Sequence, residues 1–550
     1  MPPHLDHVHE VRDFKSFTSV FDQFSENSNS FKLRVLTGLH GAEQTMNSDE
    51  LLCRALSLGH HLLSIGIRAG DRIAIIAPSS PLTVVAMLAC WSAGAAFSLI
   101  SPGKTVIERS HKEIALKLLS PAAIIVQNAD SARELGSFSC DKVVQLTTIP
   151  LLSIAGDYIP HRASPTDVAF IQFTSGSTGA PRGVPVTHNQ LSSSCICISE
   201  RAQITEADCM VLWSPLYHDM GLMALLISLW NRIGVHLIPT ETFMRRPTVW
   251  LDEISDGGTL TTAPPSMYYL LSRRVNEDQA GRFDLSSLRY AWIGAEPVFV
   301  EQITSFVSRF TSAGLMENVL QPCYGLAEAV VLVTARPPQN PPLELQFDRD
   351  QLRAGKIVPL DLPGKNSVRL LGNGPPLTDV ELQIVGNDDN EVPSGTVGRI
   401  RVRGRLVTTG YIGEPTKSSD EWRATGDLGF MMNGELFVAG REKETIKRNG
   451  ATISPHDLEW VAERHLNLRT GRAAAFSLID HELARERIIL LVEAPPGQMT
   501  REVNRSLGSA ILNSTGIQVD QIIFVGLNGI PRTTSGKLRR DAARSRFVMT

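Results

Sequence analysis

Between residues 71 and 100 the sequence reads DRIAIIAP, then, from 81, PLTVVAMLACWSAGA, then AFSLI. A short β-rich run, a longer apolar run of helical length and a second short run form the order strand, crossover helix, parallel strand. The rhythm recurs at AAIIVQ, VAFIQF, CMVLWSP and VHLIPT, each followed by a helix or loop. Ahead of it, DELLCRALSLGHHLLSIG (49–66) carries apolar residues at helical spacing and ends near Gly66. These patterns predict an α/β fold with a large N-terminal domain of parallel-sheet αβ subdomains.

From about residue 366 the rhythm changes. VRLLGNGPPLTDVELQIVGNDDNEVPSGTVGRIRVRGRLVTTGY reads as short strands separated by Gly, Pro, Asn and Asp turns. That predicts a small β-barrel-like subdomain. Beyond Gly440, strands (AAAFSLI, RIILLVEA, QIIFVG) alternate with helices (SPHDLEWVAERHL, REVNRSLGSAIL), an α+β pattern long enough to fold alone. The expected division is residues 1–440 and 441–550. The charged, glycine-bounded stretch GREKETIKRNG (440–450) is a hinge that would make the C-terminal domain mobile.

Bulk properties exclude several classes. The net charge of −4 gives no global basic character to attract nucleic acid, and the short run RRDAARSR (539–546) reads as a solvated helix face. No run approaches the ~18 apolar residues of a membrane span, so no transmembrane segment is expected. The polar start, MPPHLDHVHEVRDF, lacks a basic region followed by an apolar core. Seven cysteines, at 53, 90, 140, 195, 197, 209 and 323, show no paired CxxC spacing. Reduced thiols and a cytoplasmic setting are expected. Cys195 with Cys197, and the cluster His4, His7 and His9, raise the question of a metal. The plainer readings are small apolar side chains in or near a helix and a terminal polar tract.

The stretch FTSGSTGAPRGVPVTHNQL (173–191) packs five hydroxyl residues and three glycines into its first fifteen positions. A glycine-rich strand-to-helix turn can aim backbone N–H groups at an anion, and hydroxyls add donors. Thr174, Ser175, Ser177 and Thr178 supply hydroxyls, while Gly176 and Gly179 permit close approach. The Lys-Ser/Thr ending of a P-loop is missing, so metal ligand and cationic groups must come from elsewhere.

Four further stretches supply them: YGLAEA (324–329), TGDLG (425–429), GREKETIKRNG (440–450) and PRTTSGKLRR (531–540). With the glycine-rich loop, in this order, they make the chain resemble the adenylate-forming superfamily of acyl-, aryl- and aminoacyl-activating enzymes. The resemblance covers about 50–550. It implies ATP and Mg²⁺, a carboxylic acid substrate, and a set of roles. Tyr324 would stack on adenine, beside Gly325, with Gly294, Ala295, Glu296 and Pro297 lining the other side. Glu328, with Thr174, would bind Mg²⁺, a hard ion that wants oxygen ligands. Asp427 would accept hydrogen bonds from both ribose hydroxyls, and Arg441 would support them. Lys443 holds the hinge position. Lys537 would reach the substrate carboxylate and the α-phosphate, where an ammonium stabilises mainly the transition state. Arg182 stands where the family loop usually has Lys; it keeps the charge and binds phosphate well.

WSPLYHDMGL (213–222), RRPTVWLDEIS (245–255) and RFDLSSLRYAWIGAEPV (282–298) resemble fatty-acyl-AMP ligases more than CoA ligases. His218 would then sit beside the carboxylate entrance. The segment 339–367 contains FDRDQLRAGKIVP, similar to the insertion that marks acyl-AMP ligases. Wedged between the domains, it would restrict the swing needed for CoA thioesterification and leave an acyl carrier protein as acceptor. APPSMY (263–268) departs from the usual APNFAY, which opens the acyl tunnel to a different chain length or to a polycyclic or aromatic acid. The expected activity is formation of acyl-AMP and pyrophosphate, then transfer to a carrier thiol. The alternatives are an acyl-CoA synthetase using the same first step, and an idle nucleotide-binding scaffold of the same fold.

Overall fold

A computed structural model describes residues 31–37, 42–103, 106–135, 138, 140–148, 158–174, 181–364, 366–393, 395–448, 451–480, 485–495, 500–533 and 537–548. The histidines at 4, 7 and 9 lie outside them. Two sheets carry the N-terminal part. The six-stranded sheet runs Val143–Gln145, Ala123–Val126, Arg72–Ile76, Ala96–Leu99, Val168–Thr174, Arg182–Thr187. The eight-stranded sheet runs Thr334–Ala335, Leu320–Tyr324, Tyr290–Ile293, Leu260–Ala263, Cys209–Leu212, Gly234–Leu237, Lys32–Thr37, Ala42–Asn47. Both are parallel in the interior and turn antiparallel only at edges.

The helix Pro81–Ser92 shows why the two sheets share a core. It opens on a Ser80 cap and a proline in its first turn, and every residue except Leu82 is buried. A helix apolar all round has no solvent face. It lies in a cluster that joins Ile75 and Phe97 of one sheet to Leu212 and Leu237 of the other. The indole of Trp91 satisfies itself by donating to the Ala169 carbonyl at 2.7 Å.

One local expectation is corrected. The glycine-rich loop is not a strand-to-helix turn. Thr174 pairs in antiparallel register with Arg182, so the loop joins two strands. The helix His188–Ala202 starts only after the second strand, at a Thr187–Gln190 capping box. Cys195 and Cys197 lie buried on this helix, and among the described residues no group of three His, Cys, Asp or Glu is arranged to hold a metal.

The third unit is antiparallel: Glu381–Val385, Gly398–Arg403, Arg423–Met432 and Glu435–Arg441 in that order. The hairpin Glu344–Asp348 with Ser367–Leu371 adds Phe347, which packs on Phe430 and Phe437. After Ile446 the chain builds its own buried clusters around the strands Ala473–Asp480, Arg485–Glu493 and Gln521–Val525. Helices Pro455–His465, Arg501–Thr515 and Arg540–Val548 cover that sheet. No helix among the described residues is long and apolar enough to cross a membrane.

The C-terminal unit contains a second correction. RRDAARSR is not a solvated face throughout: Arg540 is only 8% exposed. Its Nε and Nη2 donate to Glu459 at 2.8 and 2.6 Å. Arg544 donates to the Ser477 carbonyl.

One turn along, burial and the nearby Glu459 charge push the Glu463 carboxyl up to about 8, against the N–H bonds it accepts from Arg472 and Ala473. An unfolded chain releases this proton near pH 4.5. Across pH 4.5–8 the folded state binds more protons, so this group makes stability fall as pH rises. Glu463→Gln should flatten that slope and raise the melting temperature at pH 8 relative to wild type. Thermal melts at pH 5.5, 7 and 8.5 check it, and an unchanged slope refutes it.

Candidate active site

The C-terminal ends of parallel strands are where an open α/β sheet leaves its crevice. Here Thr174, the 213–218 turn, Pro264 at the start of the helix Pro265–Arg274, Gly294 and Tyr324 all stand at or just past such ends. Thr174, Pro181, Tyr217 and His218 line one cavity of about 60 Å³. Ser175, Gly176, Ser177, Thr178 and Gly179 lie outside the described residues.

Tyr324 closes the strand Leu320–Tyr324 and donates its hydroxyl to Asp427 Oδ2 at 2.7 Å. Asp427 and Arg441 are paired across two antiparallel strands, and Arg441 Nε reaches Asp427 Oδ1 at 3.1 Å. Burial pushes the Asp427 carboxyl up, and Arg441 and the Tyr324 hydroxyl act against it. The two residues assigned to adenine and ribose are thus bonded to each other. Gly325 has a steric reason: a Cβ there would lie 1.6 Å from the Val331 carbonyl oxygen. The turn that forces this contact puts Val330 and Val331 at φ 47° and 79°, a costly region for β-branched residues. Glu328 sits in that strained turn, on the 3-10 segment Ala327–Ala329. Gly294, Ala295, Glu296 and Pro297 follow the neighbouring strand Tyr290–Ile293. A Cβ on Gly294 would meet Cys323 Sγ at 3.0 Å, so this segment abuts the end of the Tyr324 strand.

Sequence reading missed Tyr411, whose hydroxyl donates to Glu328 Oε1 at 2.7 Å. Its ring is covered by the Arg182 guanidinium, 3.4 Å from the centroid. Arg182 is in turn paired with Glu414 at 2.7 Å. The cation expected to face phosphate is therefore held by a carboxylate and an aromatic face. Tyr411 lies in an irregular stretch, VTTGYIGEP, where no periodicity marks it.

His218 precedes the helix Asp219–Asn231. Burial lowers its imidazole to about pH 4; Asp219 opposes this and the Lys537 charge adds to it. The ring is neutral at pH 7. Lys537 is exposed, yet its charge is felt at His218 on the opposite part of the molecule. Lys443 is exposed on the short turn Glu442–Glu444. A single carboxylate with one oxygen already bonded, plus the Thr174 hydroxyl, suits Mg²⁺, which keeps waters and takes phosphate oxygens for its remaining ligands.

A fold of stacked parallel sheets, an antiparallel unit and a small C-terminal unit converging on one crevice defines the class. The chain belongs to the AMP-binding enzyme family, whose model matches residues 26–412. More particularly, it is similar to a long-chain-fatty-acid–AMP ligase, FadD26, of Mycobacterium tuberculosis, with 29% identity over 92% of each chain. It is 30% identical to a putative acyl-CoA synthetase of Caulobacter vibrioides, across 100% of this chain and 98% of that one. A solved structure from work on fatty acyl-adenylate ligases of E. coli and L. pneumophila superposes with a TM-score of 0.88 at 30% identity, covering 97% and 98% of the two chains.

Proposed function

We propose that this enzyme activates a carboxylic acid with ATP, forming acyl-AMP and pyrophosphate, and passes the acyl group to the thiol of an acyl carrier protein. The observation that carries the reading is that Thr174 and His218 line one cavity, with the Lys537 charge acting on His218 from the C-terminal unit. In the first step a carboxylate oxygen attacks the α-phosphorus, a new P–O bond forms, and the bond to pyrophosphate breaks. Asp427 and Arg441 orient the ribose, Tyr324 backs the adenine, and neutral His218 borders the acid without adding charge. Lys537 offsets the repulsion between two anions brought together. Glu328, oriented by Tyr411, and Thr174 would hold Mg²⁺, which neutralises phosphate charge when bound. In the second step a thiol sulfur attacks the acyl carbon, its proton passes to solvent, and AMP leaves. Between the steps residues 441–550 swing about Lys443.

Carrier protein rather than CoA is favoured by the 339–367 segment. Its helix Arg349–Arg353 presents Arg353 to Asp457 and to the end of the helix Arg501–Thr515, where a Cβ on Gly516 would lie 3.9 Å from the guanidinium. A cation at a helix C-terminus is stabilising, so this contact resists the swing. Arg353→Ala should raise thioester formation with free CoA by about fivefold, equivalent to about 1 kcal/mol. An unchanged CoA rate removes this role.

The deciding experiment incubates the protein with ATP, Mg²⁺ and mixed carboxylic acids, aliphatic and aromatic, and reads acyl-AMP by mass spectrometry. Adding either a phosphopantetheinylated carrier or CoA follows. The carrier should become acylated faster than CoA. If no acid gives acyl-AMP, the reading fails, and if CoA is the faster acceptor, the enzyme is an acyl-CoA synthetase.

A further inference from the structure

Trp460 lies on the helix Pro455–His465 of the C-terminal unit, but its ring belongs to neither buried cluster of that unit. It is nonetheless only 8% exposed. Two rings of the N-terminal part lie against it. The ring stacks on Phe299 with centroids 5.0 Å apart and planes 7° apart. It also meets Tyr269 at 5.0 Å and 60°. Tyr269 is on the helix Pro265–Arg274, and Phe299 stands two residues after Pro297, at the start of Val300–Phe310.

The same turn of helix is bolted to the catalytic machinery. Glu459, adjacent to Trp460, accepts two bonds from Arg540, three residues beyond Lys537. Arg540 also donates to Glu444, one residue beyond Lys443. A displacement of Trp460 from its seat would be carried to both the lysine and the pivot.

We infer that Trp460 is a positioning residue for Lys537: its insertion between Phe299 and Tyr269 holds the C-terminal unit in the arrangement that forms the adenylate. This rests on the proposed acyl-AMP chemistry. Leaving the seat exposes a large aromatic surface, so the seat favours adenylation and opposes the swing to thiol transfer.

The test uses the full chain with Trp460→Ala, Trp460→Phe and, from the opposite side, Phe299→Ala. Trp460→Ala and Phe299→Ala should each lower the turnover number of carboxylate-dependent pyrophosphate exchange about tenfold, equivalent to about 1.4 kcal/mol, with the KM for ATP little changed. Thiolysis of isolated acyl-AMP should be unchanged or faster. Trp460→Phe should recover most of the exchange. Limited proteolysis within 440–450, which needs no activity, should quicken in both alanine variants. An equal fall in both half-reactions, or an unaltered cleavage rate, overturns the inference. Wild-type protein that forms no acyl-AMP at all fails the functional reading instead, before any variant is compared.

Discussion

Lys537→Ala should cost carboxylate-dependent pyrophosphate exchange about 10²–10³-fold or more, while the melting temperature stays that of wild type. The size follows from placing one charged donor where negative charge accumulates as two anions are joined. The unchanged stability follows from the exposure of the side chain, since surface substitutions away from packed features shift stability little. Among the described residues, backbone groups and other side chains tie the ends of the surrounding loop. Thr533 N donates to the Lys537 carbonyl at 2.7 Å and Lys537 N to Thr533 Oγ1 at 3.1 Å. Arg532 anchors the loop base through Glu493, and Arg539 N closes it on the Pro531 carbonyl. All are backbone groups or other side chains, which alanine at 537 preserves. Thiolysis of supplied acyl-AMP, in which no two anions are joined, should be much less affected. Exchange at the wild-type rate in Lys537→Ala would remove Lys537 from the chemistry.

The parallel-sheet architecture was legible because each strand is a short, bounded apolar run and buried strands need no alternation. Segments such as 96–99 and 123–126 are buried at every position. Local motifs singled out Glu328, Asp427 and Arg441, and each makes a side-chain hydrogen bond in the structure: Glu328 with Tyr411, and Asp427 with both Tyr324 and Arg441. What stayed hidden depends on contacts across long stretches of chain. Tyr411 touches Glu328 from 83 residues away, and Trp460 finds Phe299 from another unit. Neither distance leaves a periodic trace. The glycine-rich loop misled in a different way. Its composition describes any tight connection that can face an anion, and nothing in it distinguishes a following helix from a following strand such as Arg182–Thr187.

Arg540 is the sharpest case of a residue whose role composition conceals, and it carries the second large expectation. Arg540→Gln should destabilise the C-terminal unit by about 3–5 kcal/mol, the usual consequence of stripping one partner from a buried ion pair. Glu459, 4% exposed, would be left with a carboxylate in the interior. In the intact protein burial alone would raise that carboxyl, but Arg540 and His456 overturn it and hold it at about 2. Without Arg540 burial wins and the pKa rises above that of the unfolded chain. The variant then binds an extra proton when folded, so its deficit should shrink as pH falls toward 5 and widen toward pH 8. Denaturant melts followed by hydrogen exchange on 455–465 and 473–493 would show the early loss confined to this unit, with the large sheets retaining wild-type protection. Adding Glu459→Gln to Arg540→Gln should restore most of the stability at neutral pH, because the stranded charge is gone. If the double variant is as unstable as the single one, shape rather than charge pairing holds the helix Arg540–Val548 against the helix Pro455–His465, and the electrostatic account of this cluster falls.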